Sequence, residues 1–512
     1  MGLYILIEVL NARTSSLGQL YMFVAIGSFV YGLTHPKQSI YVMLFMTVYI
    51  DVFKRMMVIG GNPTMIDVAY VLAAPPLLIA GCVTSVFLAY TVGRKKITKD
   101  LVYALIVSVL MVVISVLGTL TSEGGGGLGR LSAIVNQGFY AFLFFVIPTL
   151  FQTDEDRRKL LHFSFITIIP AVIYTFWQKK FGYAQFEYDY LMSGLTIEAK
   201  NLVESVGGEF RCFSTFNGAG TASTMFSIYL LYCFVSLKPG NNPPTFFARL
   251  GKWLLIPLFI VASYFTIIRT GWVSGLGSLL AFVFLGSRFR AYSGVFIAVF
   301  GFLTIVALAP TAVKNNWLGE IEVGLNKTIG LVSNDSTLKR AIIMGTAQDR
   351  VRGWANLTQE PKIWQPFGFA ASDISVKNTS NAGFHWGHDA IIDALIKFGY
   401  VPLAIIFMIG GVLLVKLFKY MYSLDKNSQA FKNTRLCLAF ASGIMVGGLG
   451  HGATFHNFPQ NFFFALWLAI PFATYQQAMR ERKKERQTKA VDASPTGYPA
   501  LAHASSVGMS GQ

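Results

Sequence analysis

Long apolar runs separated by short polar joints occupy most of this chain. They fall at about 19–35, 39–53, 66–92, 101–120, 136–151, 160–176, 219–237, 253–268, 272–286, 293–312, 399–418, 436–455 and 461–478. Most show no amphipathic spacing. Apolar residues all round a helix of about 20 residues mark a membrane span rather than a half-buried surface helix. The pattern predicts an all-α polytopic membrane protein of about 12–13 transmembrane helices. The run at 66–92 contains Pro75-Pro76, which predicts a kink or a tilt. One polar island, 314–398, interrupts the series and predicts a single large loop outside the bilayer.

Four regions follow from this pattern. Residues 1–313 hold the N-terminal spans and a loop at 177–213, residues 314–398 the large loop, and residues 399–478 the C-terminal spans. Residues 479–512 form a basic tail expected to be disordered.

Composition agrees with the membrane reading. The 512 residues are 54% hydrophobic and 13% charged, with a mean hydropathy of +0.52. A soluble chain carries about twice that charged fraction. The four cysteines have no CxxC spacing and predict neither a disulfide framework nor a metal site. The first residues lack a basic n-region and an A-x-A site, so no cleavable signal peptide is expected.

The net charge of +17 is spread in short clusters between the apolar runs. That distribution excludes a nucleic-acid groove and fits cytoplasmic loops under the positive-inside rule. The clusters are Arg94-Lys95-Lys96, Arg157-Arg158-Lys159, Lys238 with Arg249 and Lys252, Arg288 with Arg290, Lys416 to Arg435, and Arg480 to Arg486. Placing them inside puts 177–213, the turn at Arg269 and the island outside. Lys54-Arg55 is the one cluster against the scheme.

Chemistry-bearing residues concentrate on the outer side. Ser122 to Arg130 is glycine-rich but lacks the Gly-Lys-Ser/Thr of a phosphate loop, so it reads as a turn. Arg211 opens a stretch ending in Gly218-Ala219-Gly220, small residues that allow close helix packing. Arg269 sits in a tight Thr266-Ile267-Ile268-Arg269-Thr270-Gly271 turn between two apolar runs. In the island, Arg350-Val351-Arg352-Gly353-Trp354 reads as the start of a helix, and Pro366 to Ala370 as a turn. His388-Asp389 comes just before the next apolar helix. An imidazole titrates near neutral pH, which makes His388 the candidate general base. His385 is three residues away, but the intervening Trp386-Gly387 argues against a helical metal pair. No HExxH or carboxylate cluster accompanies it, so no metal and no cofactor are expected. His451 and His456 fall in the last outer loop and read as lining.

The order of these features resembles the bacterial O-antigen ligase and polysaccharide polymerase superfamily over about the last 300 residues. The matching elements are Arg211 before a small-residue span, Arg269-Thr270-Gly271 between two spans, and Arg350 four residues before Trp354. The turn at Pro366 follows, then His388-Asp389 with nine residues before Gly399. Asp389 stands where the family has an amide or hydroxyl, and Thr270-Gly271-Trp272 is bulkier than the usual small pair.

The resemblance implies a GT-C-like membrane glycosyltransferase in the bacterial inner membrane, its active face periplasmic. The donor would be a glycan on undecaprenyl diphosphate, transferred by a metal-independent, inverting displacement to a glycan or lipid acceptor. Membrane lipid and polysaccharide-assembly proteins would be the other partners. Arg211, Arg269 and Arg350, with Arg352 in reserve, would hold the diphosphate. His388 would deprotonate the acceptor and Asp389 would orient it. Polymerase is favoured over ligase, because Asp389 and the long 177–213 loop fit no standard lipid-core acceptor. The rival class is a transporter or channel for an anion or glycan, with the outer arginines as a funnel. It predicts ionisable residues in mid-span, whereas Asp51 and His162 lie near span ends.

Overall fold

The computed structural model describes residues 15–93, 97–120, 138–195, 210–236, 246–330, 345–367, 390–449 and 458–492. Seventeen α-helices and no strand occur among them. In chain order these are α1 (Ser16–Thr34), α2 (Pro36–Met56), α3 (Met65–Thr91), α4 (Lys99–Leu120), α5 (Leu143–Leu150), α6 (Asp154–Phe181) and α7 (Gln185–Met192). Next come α8 (Ala219–Ser236), α9 (Phe246–Phe265), α10 (Arg269–Phe284), α11 (Arg288–Lys314), α12 (Trp317–Gly330) and α13 (Gly345–Gln359). The last four are α14 (Ala390–Phe398), α15 (Tyr400–Met421), α16 (Gln429–Gly448) and α17 (Gln460–Asp492).

A helix stands on every expected apolar run, and six are long and apolar enough to cross a membrane: α1, α3, α4, α6, α11 and α15. Polar residues at the joints set their ends. Thr64 and Asp67 form a reciprocal capping box at α3. Thr153 caps α6, whose first turn holds Asp154, Glu155 and Asp156 and whose last turn holds Lys179 and Lys180, both favourable to the helix dipole. α3 runs through Pro75-Pro76 as one helix.

Small residues bring α8, α10 and α16 into close contact. A Cβ on Gly271 would lie 1.9 Å from Ser223 Oγ, and one on Gly447 would lie 1.9 Å from Ser274 Oγ. Association by close backbone approach suits a medium in which apolar faces gain nothing from leaving water. Gly218, expected to mediate such packing, has nothing within 4 Å of an added Cβ. The contact is made one and two turns later, at Ser223 and Ser227.

Gly443→Ala should expose how tight this packing is. Its Cβ would sit 1.8 Å from Ser278 Oγ and 2.6 Å from the Ser274 carbonyl, so a whole helix has to move. Overpacking of this kind costs about 1–3 kcal/mol. Gly301→Ala on α11, where an added Cβ meets nothing within 4 Å, is the control and should not destabilise. Thermal unfolding of the two variants in detergent checks the difference.

The polar joints sort onto two ends of the bundle. At one end Lys37 pairs with Asp156 at 2.8 Å, Thr98 Oγ1 donates to Gln476 at 2.6 Å, and Asp100 accepts from Tyr475 at 2.8 Å and pairs with Lys416. At the other, the Ser15 amide donates to Asp67 at 3.1 Å, Arg55 pairs with Glu187, and Asn217 Nδ2 donates to the Phe458 carbonyl at 2.9 Å. Lys54-Arg55, the cluster against the charge alternation, is neutralised inside the protein. Lys54 pairs with Asp51 and Arg55 with Glu187. Charges spent on buried carboxylates do not count as loop charges.

Among the described residues, helices occupy most of the island and of the basic tail. The island carries α12, α13, a 3-10 turn at Pro361–Ile363 and α14. Leu357, Ile363, Ile392, Leu395 and Ile396 give it a small apolar core that continues onto Phe302 of α11 and Leu403 of α15. Of these, the sequence pattern marks only the helix that carries Arg350 and Trp354; α12 and α14 are too short to stand out as spans. The basic tail is likewise helical as far as Asp492. Its Gln, Glu, Arg and Lys residues are good helix formers, and Gln477 Nε2 donates to Glu481 one turn on, at 2.7 Å. Residues 493–512 lie outside the described residues.

Candidate functional site

The site is built on the segment 210–218, which leads into α8 without regular structure. Its backbone is gripped from three sides. The Ser214 amide donates to Gln178 Oε1 at 2.8 Å, and Ser214 itself adopts φ 56°, a left-handed conformation that needs such support. Arg55 donates to the carbonyls of Ser214, at 3.2 Å, and of Phe216. Its guanidinium also lies 4.3 Å from the centre of the Phe213 ring. The Tyr183 hydroxyl donates to the Arg211 carbonyl at 2.8 Å.

Arg55 can do this because Glu187 balances it. The side chains of the pair are 4% and 0% exposed. Glu187 also accepts from Gln178 Nε2 at 3.0 and 3.2 Å and from the Ala184 amide at 3.2 Å. A buried carboxylate is tolerated when its lone pairs are met in this way. Sequence reading passed over Arg55, Gln178 and Glu187 as site residues. The one signal was that Lys54-Arg55 broke the charge alternation.

Arg269 reaches the same neighbourhood from the α9–α10 turn. The Cys212 amide donates to the Phe265 carbonyl at 3.4 Å, which ties the Arg211 segment to the end of α9. Ile268 packs against Leu191, Phe213 and Ala219. Ser223 Oγ donates to the Ile268 carbonyl at 3.1 Å, fixing the turn from the α8 side. Arg269 is the first residue of α10, and Ile268 provides no side-chain cap. A helix start of this kind, with an arginine on it, favours an anion. Glu322 of α12 is close enough to act on the charge of Arg269, which brings the island to this end of the bundle.

Two buried hydroxyls in these segments have no hydrogen-bond partner: Thr215 Oγ1 and Thr270 Oγ1. Thr215 is 5% exposed and Thr270 8%. A buried polar group left without a partner commonly marks a place that a ligand, ion or water completes.

Arg350, Arg352 and Trp354 all lie on α13, which begins at Gly345 rather than at Arg350. Residues two apart on a helix face different ways, so Arg350 and Arg352 do not address one point. Arg352 borders a cleft of about 20 Å³ with Ala312, Val313, Asn316, Leu318, Gln348 and Val351, room for one water. Trp354 meets Phe302 edge to face at 6.4 Å between ring centres, which fixes α13 on α11. The amides of Tyr400 and Val401 donate to the carbonyls of Gln365 and Pro366 at 3.0 and 3.2 Å, so the start of the expected turn caps α15. His385, His388, Asp389, His451 and His456 lie outside the described residues, as does the glycine run at 124–127.

The structure thus joins the Arg211 and Arg269 segments and connects the island to Arg269 through Glu322. No protein-family model, curated protein or solved structure matches the chain.

Proposed function

We propose that this chain is a membrane glycosyltransferase of the O-antigen ligase and polysaccharide polymerase type. On this reading it has about 13 spans in a GT-C-like arrangement in a bacterial inner membrane, with the island in the periplasm. It takes a glycan from undecaprenyl diphosphate and passes it to a glycan or lipid acceptor. The observation that carries the reading is the junction of the Arg211 and Arg269 segments at one end of the bundle, tied by the Cys212–Phe265 hydrogen bond.

The chemistry follows from charge. An acceptor hydroxyl oxygen attacks the anomeric carbon of the donor, the bond to the diphosphate oxygen breaks, and configuration inverts. His388 takes the hydroxyl proton, with Asp389 orienting it. The bond electrons leave on the diphosphate, whose growing charge is met by bidentate contacts from Arg211, Arg269 and Arg350. Arg352 sits on another face of α13 and is the weaker candidate.

The transporter reading gains little support from the buried charges. Asp51, Arg55, Asp67 and Arg157 lie near helix ends, and each is held by protein partners. They brace the bundle rather than line a path.

Polymerase is favoured over ligase for the reasons given by Asp389 and the 177–213 segment. The glycan profile of a deletion strain tests both versions. Loss of a polymerase leaves single repeat units on the final carrier; loss of a ligase leaves finished polymer on the lipid. An unchanged profile would sink the proposal.

A further inference from the structure

At the end of the bundle opposite Arg211 and Arg269, one arginine is held in a way that an ordinary loop arginine is not. The pair of Asp100 and Lys416 places the C-terminal part of α15 at that end. Just beyond α15, the Tyr422 hydroxyl donates to the Leu285 carbonyl at 3.3 Å, so the end of α10 is there too. Arg435, in the second turn of α16, donates from Nε to the Phe282 carbonyl at 2.7 Å. Its guanidinium carbon stands 3.7 Å from the centre of the Phe282 ring. A Cβ on Gly286 would lie 3.0 Å from Nη2, so the guanidinium fills the space this glycine leaves at the α10–α11 turn. Ring, carbonyl and turn fix the plane of the fork. Nε is its only nitrogen hydrogen-bonded to a described residue.

The charge around this fork is one-sided. Among the described residues no carboxylate pairs with Arg435, and the titratable groups close enough to act on its charge are Tyr422 and Arg290. Arg288 and Arg290 stand in the first turn of α11, which holds no acidic residue. A helix start carries partial positive charge, which makes it a poor place for arginines and a good one for an anion. A snorkelling arginine relieves such repulsion by turning its head to water. Arg435 is held by its ring and carbonyl instead, half-buried, where a bound anion would offset the repulsion.

The surroundings indicate which anion. Phe289 and Tyr292, beside the two arginines of α11, are 81% and 57% exposed, and Arg288 lies 5.7 Å from the centre of the Tyr292 ring. Beyond them α11 presents Val295, Phe296, Val299 and Phe300 along a span that the rest of the protein leaves almost wholly uncovered. Aromatic and basic side chains ahead of an apolar span mark the headgroup level of a bilayer. An anion that sits at this level and also covers α11 carries acyl chains.

We propose that Arg435 and Arg290, with the start of α11, bind the phosphodiester of an anionic phospholipid whose acyl chains lie along α11. Arg435 offers a fixed fork to the phosphoryl oxygens, and Arg290 adds a second cation. A choline or ethanolamine headgroup would bring a further cation into the cluster, so the site selects phosphatidylglycerol over zwitterionic lipids. It lies at the far end from Arg211 and Arg269 and does not depend on the function proposed above.

The test titrates the full-length protein, purified in neutral detergent, with phosphatidylglycerol, phosphatidylcholine or inorganic phosphate, and counts bound molecules by native mass spectrometry. Wild type should hold one phosphatidylglycerol about tenfold more tightly than phosphatidylcholine, and Arg435→Met and Arg290→Gln should each abolish that preference, as loss of one hydrogen bond to a charged group would. Arg435→Lys keeps the charge but not the fork and should fall between. Arg482→Gln removes an exposed charge from the basic extension of α17 and should bind as wild type does. The Arg290 side chain is exposed, so Arg290→Gln should melt at the wild-type temperature, which separates a lost ligand from a lost fold.

Equal affinity of wild type for the two lipids overturns the inference. So does a wild-type preference in Arg290→Gln, even if Arg435→Met loses it, because the Arg435 effect is then one of fold. An equal loss in Arg482→Gln assigns the preference to net charge at this end and removes the site. Binding of inorganic phosphate with no preference between the lipids overturns the lipid assignment.

Discussion

Arg55→Ala is expected to lower the stability of this protein by about 3–5 kcal/mol, the usual effect of removing one partner from a buried ion pair. Glu187, 0% exposed, would keep its charge without the cation that balances it, although the Gln178 and Ala184 amides still donate to it. The carbonyls of Ser214 and Phe216 would lose their donor in the same step. The loss should appear as a melting temperature several degrees lower in detergent. It should also remove activity, because the backbone that Arg55 grips carries Arg211.

The companion variants separate charge from packing. Glu187→Gln retains shape and part of the hydrogen bonding but leaves Arg55 uncompensated, so it should also destabilise. Arg55→Met with Glu187→Leu removes both charges and should recover much of the lost stability, since apolar replacement of a whole buried pair is often neutral or better. Activity should not recover with it, because methionine cannot donate to the Ser214 and Phe216 carbonyls. If Arg55→Ala melts like wild type, the pair does not brace the segment. If the double variant regains activity as well as stability, Arg55 has no positioning role.

This pair also shows where sequence reading runs out. The helices were legible because an apolar run of span length has few other uses, and a helix stands on each run. Arg55 and Glu187 were not, because they are 132 residues apart and meet only through the fold. Charge counting flagged Arg55 as an exception but could not say what answered it. Thr215 and Thr270 were invisible for a different reason: nothing in a threonine's sequence context announces a hydroxyl without a partner. Arg211 and Arg269 were legible as arginines at span edges, and the structure adds the Cys212–Phe265 bond between their segments. Arg350 and Arg352 were legible as the start of a helix; the structure extends that helix back to Gly345, and residues two apart on it face different ways.

On the proposed function, His388→Ala should give the largest loss of activity, a fall of about 10²–10⁴ in glycan transfer, the range that a positioned general base supplies. His388 directly precedes the residue before α14, which begins at Ala390 and packs into the island core through Ile392, Leu395 and Ile396. Donor binding depends on the cationic groups and should survive, so the defect belongs in turnover rather than in affinity for undecaprenyl diphosphate. The pH profile adds a second reading. A base acts only when unprotonated, so wild-type activity should climb with pH across the near-neutral range in which an imidazole can exchange its proton. In His388→Ala the residual activity should lose that climb. Asp389→Asn should cost less, because the base remains and only its orientation suffers. A His388→Ala protein that inserts normally, binds donor and still makes wild-type amounts of polysaccharide would remove the imidazole from the mechanism. Retention of the climb in a crippled variant would move the base to another histidine, with His385 the first to replace.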